Sequence, residues 1–244
     1  MKPARFVAAV LIGSALVRPC RGAGLTCPAE SVDKQGLGSI PLFSSLPLGK
    51  TEFARQWGKA QKELSRKFPG LMFEKPENLH VTLVYMGVGW DPAKAEEMEK
   101  YGLDGPDLSS GALTLKGTPE MFGDHKEVVA LTLTPIPAEW TARLMKDRQT
   151  LTDRGLRRLD KYDGVFKAHV SLASAPKPDE QRAELDAFSR WMSDHAARFG
   201  GLDIPLDRAI KPAFFVVLGK GETTRFVPLR EHCAESKIPP NAAN

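Results

Sequence analysis

An α+β domain with mainly antiparallel sheets is predicted by three features of the 244-residue sequence. A helical stretch followed by a strand-like run bearing a histidine occurs twice. The remaining strand-like runs do not alternate with helices in the βαβα order of a parallel, doubly wound sheet. No low-complexity linker or fixed-period repeat divides the chain into independent units. With 42% hydrophobic and 26% charged residues, the composition is that of an ordinary globular domain able to bury a sizeable core.

Residues 1–24 read as a secretory signal peptide. Lys2 and Arg5 precede an apolar run from Phe6 to Val17 that stops before Pro19, and Gly22, Ala23 and Gly24 suit a cleavage site. The run is about half the roughly 20 apolar residues of a membrane span, so no anchor is expected after cleavage and the protein is predicted to be periplasmic or secreted. Lys2, Arg5, Arg18 and Arg21 leave with no acidic residue among them, which takes the formal net charge from +4 to zero. A general polyanion-binding surface is therefore not supported, and any preference for nucleic acid must come from a local site. Cys20 leaves too, and the two remaining cysteines, Cys27 and Cys233, are expected to pair in an oxidising compartment. The domain is expected over 25–235, with 236–244 as a C-terminal tail.

Within that domain, Ser39 to Leu48 reads as a strand. Thr51 to Phe68 places Phe53, Trp57, Ala60, Leu64 and Phe68 at helical spacing, the pattern of an amphipathic helix lying on a core. Leu79 to Met86 reads as a strand, followed by a Gly/Pro turn and a short helix around Ala93 to Lys100. Ala112 to Lys116 and Val128 to Leu133 read as strands joined by a loop, Gly117 to Lys126, and Pro135 and Pro137 stop the sheet. A helix is predicted over Trp140 to Leu159, a strand over Phe166 to Leu172, and a helix over Pro178 to Phe199. Strand-like runs at Leu202 to Leu206, Phe214 to Leu218 and Arg225 to Leu229 complete the domain.

Both histidine-bearing strands carry His, one apolar residue, then a hydroxyl: His80-Val81-Thr82 and His169-Val170-Ser171. Residues two apart on a strand share a face, about 7 Å apart along the chain. Each imidazole is thus expected beside a hydroxyl, with Leu79, Val81 and Leu83, and Ala168, Val170 and Leu172, turned to the core. Two such faces opposed would supply a neutral imidazole to take a proton and an imidazolium to give one, which histidine can do because its ordinary pKa is near 6.5. Hydroxyls can donate to oxygens that gather negative charge. This arrangement calls for no metal and no cofactor.

The sequence resembles the 2H phosphoesterase superfamily, which includes bacterial RNA 2',3'-cyclic phosphodiesterases and 2'-5' RNA ligase-like proteins. The resemblance rests on Leu79-His80-Val81-Thr82-Leu83, on His169-Val170-Ser171-Leu172, and on the order of elements from about Ser39 to Leu229. It implies a bilobal fold with two antiparallel sheets, flanking helices and a central groove. It also implies metal-independent hydrolysis of cyclic-phosphate or 2'-5' phosphodiester bonds in nucleotides or RNA ends, with His80 and His169 catalytic and Thr82 and Ser171 on the phosphate. Ala168 stands where RNA-directed members often have proline, and an export signal is unusual among the cytosolic ones.

Lys167, two residues before His169, is a candidate phosphate contact and a like charge that lowers the imidazole pKa. Arg154, Arg157, Arg158 and Lys161 are expected to form a solvated helix end. Tyr85 and Phe122 are expected in the core, with the groove wall as the alternative place for each. His195 falls in a helical stripe with Met192 and Phe199 and is expected to be packed at a boundary. His125 and His232 lack a paired hydroxyl, and Cys27 and Cys233 lack zinc-site spacing. A monomeric phosphodiesterase acting on a nucleotide or RNA end is the expectation, and a secreted nucleotide- or RNA-binding module without turnover is the alternative.

Overall fold

A computed structural model describes residues 24–109, 111–158 and 164–235. All of the expected leader except Gly24, the expected tail beyond Glu235 and Lys161 of the basic run lie outside these residues. The described chain runs β1 (Leu25–Thr26), β2 (Leu42–Pro47), α1 (Glu52–Lys67), β3 (Met72–Phe73), β4 (His80–Gly87), α2 (Ala95–Gly102), β5 (Leu113–Phe122) and β6 (Val128–Thr134). It continues through α3 (Ala138–Asp153), β7 (His169–Ser174), α4 (Arg182–Asp194), β8 (Asp203–Leu206), β9 (Ala213–Leu218), β10 (Arg225–Pro228), α5 (Leu229–His232) and β11 (Ala234–Glu235).

The strands form a four-stranded sheet ordered β10-β9-β2-β4 and a five-stranded sheet ordered β3-β7-β6-β5-β8. Every pairing is antiparallel. The orders β10-β9-β2-β4 and β8-β5-β6-β7 correspond strand for strand, with β3 added outside β7. The two histidine strands, β4 and β7, occupy the same place in their sheets and lie against one another.

The helices exchange lobes. α1 joins β2 to β4 of the four-stranded sheet, yet its Trp57 meets Phe73 of β3 and Phe188 of α4, and α4 packs on β5 and β6. α3 joins β6 to β7 of the five-stranded sheet, yet it packs on α2, and its Arg148 reaches the carbonyl of Leu83 on β4. Each sheet is thus covered by a helix from the other half of the topology, and the apolar core is one continuous cluster spanning both lobes. This interlock is why no linker marks a boundary between halves. α1 forms where predicted because its apolar positions recur at helical spacing and Thr51 caps it, accepting from the Ala54 amide at 3.2 Å.

Several boundaries differ from the sequence expectation. Gly117 to Phe122 is strand, not loop. Pro119 lies in the part of β5 that pairs only with β6, so its missing N–H removes no ladder bond from β8. Gly117 is small for packing: an added Cβ would come within 3.1 Å of the Leu131 side chain and the Leu202 carbonyl. The strand expected from Phe166 begins at His169 and reaches Ser174, and the helix expected to Phe199 ends at Asp194. Arg157, expected in solvent, is buried.

Cys27 and Cys233 form a disulfide across 206 positions, beside the short β1–β11 pair that brings the two ends together. Reducing it, or replacing Cys27 by serine, is expected to lower the unfolding free energy by up to about 5 kcal/mol, since closure of a long loop restrains the unfolded chain. The reading is a fall in the denaturant midpoint. A midpoint indifferent to reductant in protein recovered under oxidising conditions would refute it.

Candidate active site

His80 opens β4 and His169 opens β7, and the chain before each is held in the same way. The Leu48 amide donates to the Leu79 carbonyl at 2.7 Å, and the Leu133 amide to the Ala168 carbonyl at 2.9 Å. Three residues after each histidine comes a β-bulge. Ser45 pairs with Thr82 and Ser44 with Val84, leaving Leu83 extra; Ala130 pairs with Ser171 and Val129 with Ala173, leaving Leu172 extra. A bulge places two successive side chains on one face and re-aims those that follow. Leu83 and Val84 are both buried, as are Leu172 and Ala173. Tyr85 therefore follows His80 and Thr82 to the accessible face, and Ser174 follows His169 and Ser171.

The same bulge explains why Tyr85 is not in the core as expected: 47% of it is exposed. The Leu83 carbonyl is taken by the Arg148 guanidinium at 2.9 Å, and the Leu172 carbonyl by the Glu74 amide at 2.8 Å. The β4 carbonyl is thus satisfied from outside its sheet by α3, and the β7 carbonyl by the residue that continues β3 along the edge of β7.

Each imidazole is fixed through Nδ1 by a main-chain carbonyl two residues earlier. His80 Nδ1 lies 2.7 Å from the Asn78 carbonyl, and His169 Nδ1 lies 2.9 Å from the Lys167 carbonyl. A carbonyl can only accept, so each Nδ1 carries the proton and each neutral ring keeps Nε2 as its basic nitrogen. Among the described residues, the Thr82 and Ser171 hydroxyls make no hydrogen bond, which leaves both free to donate to a bound group.

Burial among aromatic rings sets the charge state. His80 sits between Phe43, at 4.8 Å, and the edge-on ring of Phe226, at 4.9 Å between centroids. Burial pushes its pKa down to about 4, the Asn78 carbonyl holds it up, and the charge of His169 lowers it further. Phe122 stacks on His169 at 4.6 Å, so Phe122 walls the site, not the core. Burial also lowers the His169 pKa; the Lys167 carbonyl opposes this, and the Lys167 charge adds to it.

Lys167 lies at the margin of this cluster. Its ammonium pairs with Glu120 at 2.5 Å and sits 4.6 Å above the Phe122 ring. That bond is the main cause of a lowered Glu120 pKa. His195, expected to be packed at a boundary, is exposed just past the end of α4 and stacks on Trp191 at 4.3 Å. His232 bonds Ser31 at 2.6 Å, and His125 lies in the turn after β5.

Two neighbours were not singled out from the sequence. Asn78 is buried, and besides holding His80 through its carbonyl it donates from Nδ2 to Glu74 Oε1 at 2.8 Å and to the Thr224 carbonyl at 3.1 Å. Glu74 and Ser174 line a cavity of about 230 Å³ with Met72, Val128, Ser171 and Ala173. Asn78 precedes the histidine motif by two positions, which is a usable signal once the carbonyl anchor is known; nothing in the periodicity marks Glu74. A larger cavity of about 630 Å³, lined by Lys94, Lys100, Tyr101, Arg154 and Arg230 among others, contains none of the motif residues. Among the described residues, no group of three or more His, Cys, Asp or Glu is placed to hold a metal ion, and no helix is long and apolar enough to cross a membrane.

No family model matches the sequence, and no curated protein matches it. Solved structures do match in fold. TT0787 of Thermus thermophilus superposes with a TM-score of 0.50 at 18% identity, covering 78% of this chain and 95% of that one. E. coli LigT complexed with 3'-AMP gives a TM-score of 0.49 at 15% identity, over 78% of this chain and 95% of that one. The protein of unknown function ATU0111 from Agrobacterium tumefaciens str. C58 gives 0.43 at 14% identity, over 84% and 92%. The likeness to TT0787 and the paired sheets agree with the expected bilobal α+β architecture, with one histidine motif on each sheet.

Proposed function

We propose that this protein is an exported, metal-independent phosphodiesterase acting on cyclic-phosphate or 2'-5' phosphodiester bonds of nucleotides or RNA ends. The observation that carries the reading is the pair of imidazoles on equivalent strands, each pinned by a carbonyl at Nδ1, with Nε2 as the reactive nitrogen and a free hydroxyl two residues on. His80, enclosed between the Phe43 and Phe226 rings where burial disfavours its charged form, is the general base. Its Nε2 takes a proton from water as the water oxygen bonds to phosphorus. His169, protonated at Nε2, gives its proton to the ester oxygen as the P–O bond breaks, so the leaving group departs as an alcohol. Thr82 and Ser171 donate to the non-bridging oxygens, where charge builds in the transition state.

Lys167 is a further phosphate contact. Its pair with Glu120 is exposed, and such pairs contribute at most about 1 kcal/mol, so an arriving phosphate can compete for the ammonium. Export is supported by the disulfide, which belongs to an oxidising compartment.

A panel of 2',3'-cyclic nucleotides, 2'-5' oligonucleotides and cyclic-phosphate-ended RNA, assayed in excess chelator, tests this. Turnover of at least one class at a rate unchanged by chelator is expected. Activity lost on chelation and restored by a divalent ion would overturn the metal-independent chemistry. Binding across the panel with no product would favour the non-catalytic module.

A further inference from the structure

The cavity of about 230 Å³ beside Ser171 is smaller than the roughly 300–1,000 Å³ of sites that enclose a whole drug-sized ligand, and suits a single ring system. It continues the accessible face of β7: Met72, Ser174 and Val128 lie in register across three adjacent strands, and Ser171 comes from the His169 motif. Met72, Val128 and Ala173 make its surface partly apolar, which suits the face of a flat heterocycle. Its polar groups are two hydroxyls and one carboxyl, Ser171, Ser174 and Glu74.

Glu74 gives the cavity its chemical preference. Its carboxyl forms no ion pair among the described residues. Asn78 Nδ2 holds Oε1 at 2.8 Å, and Asn78 is itself buried and tied to Thr224, so the carboxyl is oriented by a fixed support. Burial raises its pKa, which marks a carboxylate short of partners for its negative charge. A carboxylate has about four acceptor sites, so capacity remains beyond the bond from Asn78. Phosphate is repelled there. A ring edge with adjacent N–H donors is not, and among the common bases only guanine offers two such donors side by side, N1–H and the 2-amino group; the Ser174 hydroxyl can donate to its O6, while that of Ser171 stays on the phosphate.

We propose that this cavity is a base subsite in which Glu74 selects guanine on the nucleotide whose phosphate lies between His80 and His169. The inference rests on the phosphodiesterase reading for its location, and it adds the identity of the base.

The test compares kcat/KM for the four 2',3'-cyclic nucleotides in the wild type and in Glu74→Gln, alongside direct titration with 3'-GMP and 3'-AMP. The glutamine can still accept the Asn78 bond, so the support of His80 is kept. A guanine preference on the order of 10- to 100-fold is expected, the worth of one good bidentate contact, and it should fall towards 1 in Glu74→Gln. The same collapse is expected in the ratio of the two dissociation constants. A wild type without base preference, or a preference that Glu74→Gln leaves unchanged, overturns the subsite. Guanine-selective binding that Glu74→Gln abolishes, with no cyclic nucleotide turned over, upholds the subsite and sinks the phosphodiesterase reading instead.

Discussion

His80→Ala and His169→Ala are each expected to lower kcat/KM by about 10²- to 10⁴-fold, the usual contribution of a proton-transfer group, while leaving the fold intact. Both side chains lie on the groove face of their strands, and the core beneath is built by Val81, Leu83, Val170 and Leu172, which the substitutions do not touch. The effects should not add, because one concerted transfer needs both groups. Near wild-type hydrolysis by a folded His169→Ala protein would rule out the two-histidine mechanism.

The pH profile follows from the same geometry. Activity requires the base without its proton, so kcat/KM rises with pH through the lower apparent pKa. It requires the acid with its proton, so kcat/KM falls through the upper one. Burial lowers both imidazoles from the ordinary 6.5, His80 to about 4, so the free-enzyme bell is expected on the acid side, with its maximum between about 4 and 6.5. The two limbs belong to the coupled pair. Bound phosphate is negative and favours both imidazolium forms, so the bell for kcat should lie at higher pH than that for kcat/KM. A kcat/KM optimum above pH 8 would contradict this assignment of charge.

Thr82→Val and Ser171→Ala are expected to cost about 10- to 10³-fold each, by comparison with removal of one oxyanion donor. The loss should fall on kcat, with KM less affected, if the hydroxyls meet charge that develops only in the transition state. Neither hydroxyl bonds to protein among the described residues, so the substitutions leave no partner stranded and the unfolding midpoint should barely move. A rise in KM with kcat unchanged would instead assign the hydroxyls to ground-state binding. The double variant separates the two sheets: if the phosphate is gripped from both sides, the two losses should combine to more than either alone.

The sequence by itself determined the class of fold, the strands that carry the two histidine motifs and the face that each motif residue takes, because these depend on local pattern. Alternation through His80-Val81-Thr82 and His169-Val170-Ser171 assigns faces without reference to any distant residue. The cysteine pairing was legible for a different reason, since the expected loss of the leader would leave only two candidates. Tertiary structure decided everything that depends on contact between distant positions. The bulges at Leu83 and Leu172 obey no local signal; they exist because neighbouring strands impose register and because Arg148 and Glu74 satisfy the carbonyls. They alone turn Tyr85 outward and Ser174 into the site. The Phe43, Phe122 and Phe226 rings that depress the imidazole pKa values arrive from three other strands. So does the interlock of α1 and α3 across the lobes, because a helix covers whichever apolar sheet face lies within reach, and local periodicity records only that it must cover one.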